Sequence, residues 1–225
     1  MIKHLWIIMD WNRRWAKERF LPSVMWHKAW AENIEKVVES AIEQWIEYIT
    51  FWWLSTENLI KRSDTEVKDI IKIINWAKKY LKNLMKNWAK IELIWDINKL
   101  PNESQLVLNE LVEETKENHK ITVVLALVYG WKNEIIRWIK KFISEGWDID
   151  NLDESSFTNY LDTWKYPPAD VIVRTGWDIR HSWFLLYSSD YSEYYFTEKK
   201  WPEFNREELQ NVCDRFSSSK RNFWK

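Results

Sequence analysis

One run of residues, Ile121–Val128 (ITVVLALV), constrains the fold of this chain more than any other, because it is almost wholly apolar. A strand that is apolar on both faces is typical of the centre of a parallel sheet, where other elements cover both faces. Further strand-like runs lie before and after it: His4–Met9, Glu47–Leu54, Ala89–Trp95, Asp170–Arg174 and Tyr194–Thr197. We therefore expect a sheet of about six strands.

Helix-like runs, with apolar residues at helical spacing, separate these strands. One long helix is predicted to start after Ser63 or Asp64, either of which can cap it, and to continue to Leu84. The other predicted helices are Ala31–Gln44, Asn102–Asn118, Trp131–Ser144, Asp153–Asp162 and Glu203–Phe216. This alternation predicts an α/β fold with a mostly parallel central sheet flanked by helices on both faces. We expect a single domain over residues 1–225.

The net charge and the cysteine count indicate which partners and which cellular compartment to expect. Lys and Arg number 33 and Asp and Glu number 34, so the formal net charge is −1. We expect no nucleic-acid partner, because binding nucleic acid requires a basic surface. The only cysteine, Cys213, cannot form a disulfide within the chain, which favours a reducing compartment. The N-terminal residues show neither a cleavable signal nor a membrane-spanning run, so we expect a cytoplasmic protein.

Polar side chains follow three of the predicted strands, at the point where each strand ends. The clusters are Asp10, Asn12, Arg13 and Arg14 after the first strand, Ser55, Thr56, Glu57 and Asn58 after the second, and Arg174, Arg180 and Ser182 after the fifth. In open parallel sheets, ligands bind at the carboxyl ends of the strands. The sequence therefore predicts a functional site at this edge of the sheet.

Asp10, which stands among arginines, has two interpretations. Its carboxylate could form a structural salt bridge, or it could bind Mg²⁺ together with a phosphate whose remaining oxygens are held by arginine forks. A second arginine group, Arg174 and Arg180, favours two phosphorylated substrates. The sequence has no GxxxxGK[ST] motif, which disfavours a P-loop nucleotide enzyme.

Five segments together resemble the cis-prenyltransferase family, which includes the undecaprenyl diphosphate synthases. They occur in the family's order across nearly the whole chain: HLWIIMDWNRRWAK, MWHKAW, LSTEN, RTGWDIRHSWFLL and YSEYYFTEKKWPEF. Any one of them is a weak signal, but all of them in register are a strong one. The resemblance implies the fold of that family, Mg²⁺ as the cofactor, and isopentenyl and allylic diphosphates as substrates.

The resemblance also implies roles for single residues. Asp10 matches a catalytic aspartate that binds magnesium on the allylic diphosphate, and Glu193 matches a second magnesium-associated carboxylate. The loop that cradles the allylic diphosphate matches Trp11, Asn12, Arg13, Arg14 and Trp15. His27 matches a histidine near the same diphosphate, although without the motif a core or capping histidine would be the favoured interpretation. The isopentenyl diphosphate site matches Arg174, Arg180, His181 and Ser182.

The S-T-E-N motif matches Ser55, Thr56, Glu57 and Asn58, and the family assigns a proton-acceptor role to this asparagine. A neutral amide is a poor base, so we interpret Asn58 as positioning substrate while a diphosphate oxygen takes the proton. The chain departs from the family at Ser23, where the family has Arg, and at Leu59, where it has an aromatic residue. The family arginine after S-T-E-N falls at Lys61 or Arg62.

The implied reaction is prenyl transfer. The double bond of isopentenyl diphosphate attacks the allylic carbon, the allylic diphosphate leaves, and a new cis double bond forms. The resemblance further implies a homodimer with peripheral contact to the inner face of the membrane through its lipid product. Two alternatives stay open: a catalytically inactive partner subunit, and a binding protein that stacks its ligand on aromatic platforms.

Tryptophan is in large excess and glycine is scarce. The chain holds 19 Trp and 3 Gly, whereas average usage predicts about 16 Gly. Tryptophan stands at family glycine positions at Trp11, Trp26, Trp30, Trp131 and Trp177, and at predicted turns at Trp45, Trp88 and Trp164. By contrast, Trp15, Trp52 and Trp201 match family aromatic positions. We expect the indoles at 26, 30, 131 and 177 to be forced into tight turns, and we interpret the excess as UGA codons that the cell reads as glycine.

Overall fold

The computed structural model describes residues 1–10, 12–21, 23–61, 68, 71–72, 74–75, 77–86, 88–95, 99–182, 184 and 186–220. The strands are β1 (His4–Ile8), β2 (Tyr48–Trp52), β3 (Ala89–Trp95), β4 (Ile121–Leu127), β5 (Val171–Thr175) and β6 (Glu193–Thr197). They form one six-stranded sheet in the order β3-β4-β2-β1-β5-β6, and every neighbouring pair is parallel. The predicted strands and fold class are therefore confirmed, with strand ends within two residues of the prediction.

Helices connect these strands. They are α1 (Asn12–Glu18), α2 (Ser23–Glu43), α3 (Thr56–Lys61), α4 (Ala77–Tyr80), α5 (Lys82–Lys86), α6 (Asn102–Thr115), α7 (Trp131–Ser144), α8 (Glu154–Thr158) and α9 (Arg206–Ser218). Two short 3₁₀ turns lie at Ile149–Asn151 and Trp201–Glu203. The predicted start of a long helix at Ser63 or Asp64 lies outside the described residues, and its described C-terminal part forms α4 and α5.

Helices α2 and α9 begin at residues other than the predicted ones. Helix α2 already begins at Ser23 rather than Ala31. Helix α9 begins at Arg206 rather than Glu203, because the Asn205 side chain caps it by accepting a hydrogen bond from the Glu208 N–H at 3.0 Å.

Helix α1 occupies positions 12–15, where a loop was expected, and position 11 lies outside the described residues. Its sequence, NRRWAKE, is rich in good helix formers and lacks both Gly and Pro. The expected tight turns are also wrong at Trp26 and Trp30, which both lie within α2, and Trp131 is the first residue of α7. Trp177 does lie at a bend, directly after Gly176.

Strand β4 is buried on both faces, as its apolar sequence predicts. Val123 and Leu125 belong to the larger core, which also contains side chains of α2, α5, α6 and α9. Val124 and Ala126 belong to a second core on the other face, where Phe184 packs. The alternation of β4 side chains between two cores is what holds the sheet between its covering layers.

A buried carboxyl group anchors α7 to the second face of the sheet. Glu134 is 3% exposed and accepts hydrogen bonds from the Tyr129 hydroxyl at 2.6 Å and from the Asp162 backbone N–H at 2.7 Å. Burial raises the pKa of Glu134 to about 7. The carboxyl group of Glu134 thus joins three parts of the chain: the segment after β4, helix α7 and the segment that precedes β5.

Replacing Glu134 with Gln should change how stability depends on pH. A carboxyl whose pKa is raised by folding contributes stability below its ordinary pKa of 4.5 and loses that contribution as the pH rises through about 7. Glutamine does not titrate, so the free energy of unfolding of Glu134→Gln should rise relative to the parent by up to about 3 kcal/mol between pH 5 and pH 8. Urea denaturation at several pH values measures this, with Glu103→Gln in α6 as the exposed control. If the free energy of unfolding depended on pH in the same way for the parent and Glu134→Gln, the raised pKa of Glu134 would be contradicted.

Candidate functional site

An ion pair joins two of the predicted polar clusters. Ile8 pairs in register with Arg174, so Asp10 emerges from β1 beside the end of β5. Arg174 donates from Nε to Asp10 Oδ2 at 2.8 Å, and its Nη2 lies 2.6 Å from the same oxygen in an ion pair. Arg174 is only 4% exposed, so its charge is neutralised inside the protein rather than by water. The structure thus brings the first and the third clusters together at one edge of the sheet.

The rest of the Arg174 guanidinium binds the turn after β5. Its Nη1 donates to Ser182 Oγ at 2.9 Å and to the backbone carbonyl of Arg180. Asp178 lies 3.6 Å from Nη2 of Arg174 and accepts from Nη1 of Arg180 at 2.7 Å. Ser182 has φ 57, in the left-handed region, at the turn that returns its hydroxyl to Arg174. Arg174, Arg180 and Ser182 therefore form one group, as predicted.

The electrostatics of Asp10 reflect two opposing effects. Burial raises the pKa of this carboxyl, and the Arg174 guanidinium works against that rise. The hydrogen bond from Arg174 and the ion-pair contact of its Nη2 both use Oδ2 and not Oδ1, while the Asp10 side chain keeps 29% of its surface exposed. The salt bridge foreseen as one interpretation is present, and its geometry leaves Oδ1 outside the bonds with Arg174.

Backbone hydrogen bonds fix the position of Asp10 from two sides. Its N–H donates to Thr175 Oγ1 at 2.9 Å, and its carbonyl oxygen accepts from the Trp201 N–H at 3.2 Å. These contacts tie the end of β1 to the end of β5 and to the segment after β6. A carboxylate held in this way is preorganised for a ligand at the sheet edge.

The S-T-E-N segment lies at the same edge, because β2 is the neighbour of β1. Ser55 Oγ accepts from the Asn58 N–H at 2.9 Å and so caps α3. Thr56 is 3% exposed, and its hydroxyl has no hydrogen-bond partner among the described residues. Glu57 forms an ion pair with Lys61 at 2.6 Å within α3. Asn58 is partly buried, and Leu59 packs against the larger core.

Other predicted residues have less complete descriptions. Trp11 and Arg62 lie outside the described residues. Asn12 and Arg13 lie in α1, and Ser23 and His27 in α2, with their backbones alone described. Arg14 is exposed on α1, and the Arg19 guanidinium lies 4.8 Å from the centre of the Trp15 ring. His181 Nδ1 lies 3.1 Å from the Ser182 carbonyl oxygen.

Glu193 lies at the opposite edge of the sheet from Asp10. It is the first residue of β6 and pairs with Val171, which in turn pairs with Leu5. Asp10 is five residues beyond Leu5, or about 16 Å along the strands at about 3.3 Å per residue. Magnesium binds its ligand oxygens at about 2.1 Å, so these two carboxylates of one chain cannot share an ion. The strand register therefore separates Glu193 from Asp10 within one chain, and the role of Glu193 at a metal stays a prediction.

Two site residues were missed by the sequence analysis. Asp178 faces both Arg174 and Arg180, and Thr175 holds the backbone of Asp10. The position of Asp178 between two arginines of one motif is a signal that could have identified it. Nothing in the sequence alone pairs Thr175 with Asp10, since the two are distant along the chain.

The sequence matches one protein family over nearly its whole length. A family model described as "Putative undecaprenyl diphosphate synthase" matches residues 8–224. An isoprenyl transferase of Rickettsia bellii is 39% identical over 225 residues, covering 100% of this chain and 98% of the relative. An isoprenyl transferase of Clostridium perfringens is 36% identical, covering 99% of this chain and 90% of the relative.

Two solved structures are similar to this chain over almost its whole length. Lavandulyl diphosphate synthase from Lavandula x intermedia, in complex with dimethylallyl diphosphate, superposes with a TM-score of 0.90 at 27% identity, covering 98% of this chain and 97% of that chain. A probable undecaprenyl diphosphate synthase from Campylobacter jejuni superposes with a TM-score of 0.82 at 28% identity, covering 99% and 98%.

Removing the cation of the ion pair should destabilise the fold. Arg174→Met leaves the Asp10 carboxylate partly buried without its partner, and breaking such a pair costs about 3 kcal/mol. Adding Asp10→Asn removes the orphaned charge, so the double variant should lose less than the sum of the two single losses by about 1–3 kcal/mol. Chemical denaturation measures this cycle, with Arg206→Met, an exposed partner of Glu43 at 2.9 Å, as the control. Additive losses would show that Asp10 and Arg174 are not energetically coupled.

Proposed function

Since this prenyl transferase belongs to the undecaprenyl diphosphate synthase family, we propose that it condenses isopentenyl diphosphate with an allylic diphosphate such as farnesyl diphosphate, with Mg²⁺ as cofactor. The product is a cis-polyprenyl diphosphate that serves as a lipid carrier. The observation that carries this proposal is the buried guanidinium of Arg174, aligned by Asp10, Ser182 and the Arg180 carbonyl at the carboxyl edge of the sheet.

The arginine group supplies the chemistry that a diphosphate requires. A guanidinium presents its N–H groups in a rigid fork that matches two phosphate oxygens. Arg180 is 60% exposed at its side chain, so it can turn from Asp178 towards an incoming anion at low cost. Arg174 is held by Asp10, Ser182 and the Arg180 carbonyl, so it fixes the turn that presents Arg180 and Ser182. We assign isopentenyl diphosphate to these residues with Ser182 and His181.

Asp10 fits a magnesium site on the other side of the ion pair. Mg²⁺ is usually bound by one or two carboxylates together with substrate phosphates, and the Asp10 oxygen Oδ1 takes neither of the bonds with Arg174. Magnesium, when bound, neutralises charge that develops on the leaving diphosphate. The residues at positions 11–15 and His27 stay predictions for the allylic diphosphate, as does Glu193 for the metal.

The chain's own residues then have defined tasks in the reaction. The double bond of isopentenyl diphosphate forms a carbon–carbon bond to the allylic carbon as the bond from that carbon to diphosphate oxygen breaks. The proton lost from C2 goes to a diphosphate oxygen, since the Asn58 amide is a poor base. Asn58, whose backbone is held by Ser55, positions the substrate. Its neighbours Thr56, Glu57 and Leu59, with Lys61 or Arg62, complete the proposed substrate-binding set.

A homodimer is the assembly we propose. Ile136, Ile139 and Ile143 lie along one stripe of α7 and are 51%, 39% and 71% exposed, which is unusual for apolar residues at helical spacing. A second copy of the chain would cover this stripe. Sedimentation equilibrium gives the mass in solution, and the mass of one chain would contradict the proposal.

No helix among the described residues is long and apolar enough to cross a membrane. We propose a cytoplasmic location, with peripheral contact at the inner face of the membrane through the lipid product. An inactive partner subunit is less well supported, because Asp10, Arg174 and Ser182 make a complete polar cluster. An aromatic binding platform is disfavoured because the exposed Trp45 and Trp177 lie at opposite edges of the sheet.

Transfer of label from isopentenyl diphosphate into an extractable lipid, with farnesyl diphosphate and Mg²⁺, tests the function. The parent should be active, and Asp10→Ala should lose activity by about 100-fold or more, because it removes both the proposed metal ligand and the partner of Arg174. Asp150→Ala, at an exposed acid far along the chain, is the matched control. Chelation of Mg²⁺ should abolish the transfer.

The assay is run on two forms of the parent, with Trp and with Gly at Trp11, Trp26, Trp30, Trp131 and Trp177. Absence of transfer in both forms, or full activity of Asp10→Ala in an active form, would overturn the proposal.

A further inference from the structure

Helix α2 ends in a motif that normally requires glycine. The Trp45 N–H donates to the Ile42 carbonyl at 3.1 Å, and the Ile46 N–H donates to the Ala41 carbonyl at 3.0 Å. These two bonds define a Schellman motif, in which the residue at the position of Trp45 takes the left-handed conformation. Trp45 has φ 59 accordingly.

Helix α7 ends in the same motif with glycine at the same place. The Gly146 N–H donates to the Ile143 carbonyl at 3.3 Å, the Trp147 N–H donates to the Phe142 carbonyl at 3.3 Å, and Gly146 has φ 63. A Cβ at Gly146 would meet no atom within 4 Å. The conformation, rather than lack of space, is therefore what favours glycine there. The chain thus closes one motif with glycine at α7 and with tryptophan at α2.

Trp88, after α5, is a second tryptophan with a left-handed backbone. It lies two residues beyond the end of that helix and has φ 70. Trp45 is 77% exposed and Trp88 is 51% exposed, so neither position gains much burial from its indole. The Trp88 ring does contact His119 edge-on, at 5.8 Å between ring centres. A left-handed residue with a Cβ is strained, and a large exposed apolar side chain adds little in return.

Other tryptophans are used by the fold as tryptophans. Trp201 is fully buried and donates its indole N–H to the Trp30 carbonyl at 3.2 Å. Trp52 donates to the Tyr129 carbonyl at 3.2 Å and stacks on Phe184 at 4.8 Å. The contrast with Trp45 and Trp88 separates two kinds of tryptophan within one chain.

Backbone conformation alone does not identify glycine, because Phe20 closes α1 with φ 53. The composition supplies the second, independent observation: 19 Trp stand beside 3 Gly, where about 16 Gly would be usual. We propose that Trp45 and Trp88 are glycine in the protein that the cell makes, because UGA codons of this gene are read as glycine. The family motifs, rather than the backbone, extend the same reading to Trp11, Trp26, Trp30, Trp131 and Trp177, although Trp30 is 4% exposed and its ring lies 4.5 Å from that of Trp53.

The coding DNA gives the first test. We expect TGA at codons 45 and 88 and at the five motif positions, and TGG at codons 15, 52 and 201. TGG at codon 45 or codon 88 would overturn the proposal.

The protein isolated from its source gives the second test. Trypsin cleaves after Lys36 and Lys61, so a single peptide, Val37–Lys61, contains both Trp45 and Trp52. Fragmentation in a mass spectrometer should read glycine at 45 and tryptophan at 52 within that peptide. Tryptophan at 45 in this peptide would overturn the proposal even if the codon were TGA.

Thermal unfolding of the purified chain tests the physical reason separately from any activity. Trp45→Gly should raise Tm by about 2–4 °C, since it removes strain at a left-handed residue in a chain of this size. Trp201→Gly, the matched control, should lower Tm by about 10 °C because it empties a buried site. A lower Tm for Trp45→Gly than for the parent would overturn the claim that this position selects glycine.

Discussion

The ion pair between Asp10 and Arg174 is the interaction on which the candidate site depends. It exists because β1 and β5 are neighbours whose register sets Ile8 beside Arg174, so that the residue after β1 meets a buried guanidinium. A buried arginine is costly unless its N–H groups are all satisfied. The N–H groups of Arg174 are satisfied by Asp10, Ser182 and the Arg180 carbonyl. The last two contacts also fix the turn after β5.

The parts of this architecture that depend on local sequence were predictable. Apolar runs such as Ile121–Val128 identify the strands, because a strand that is buried on both faces needs apolar side chains on both faces. Strand ends locate Asp10, Ser55 and Arg174 at one edge by the same logic. Helix α1 was missed because the matched motif suggested a phosphate loop, whereas its residues, which lack glycine, favour a helix.

What depends on long-range register was not predictable from the sequence. Glu193 belongs to a motif that follows the site motifs closely in the chain, yet β6 starts at the amino edge and carries it away from Asp10. Thr175 and Asp178 join the site only through pairing of β1 with β5 and through the turn beyond it. The family resemblance could nevertheless be recognised from the sequence. The residues that form the polar cluster match the family motifs, and the unusual tryptophans stand at other positions of those motifs.

The central claim is that the Arg174 group binds a diphosphate. Calorimetric titration of isopentenyl diphosphate into the parent, Arg174→Gln and Arg180→Gln measures it directly, with the exposed Arg206→Gln as the control. Arg180→Gln removes an exposed charge-assisted donor, and Arg174→Gln removes the group that holds the turn carrying Arg180 and Ser182. Each should therefore weaken Kd by about 10- to 100-fold, and the control should leave it unchanged. Because Arg180 is 60% exposed, its substitution should leave the core intact. Equal Kd values for the parent and Arg180→Gln, together with an unchanged Kd for a folded Arg174→Gln, would contradict the account.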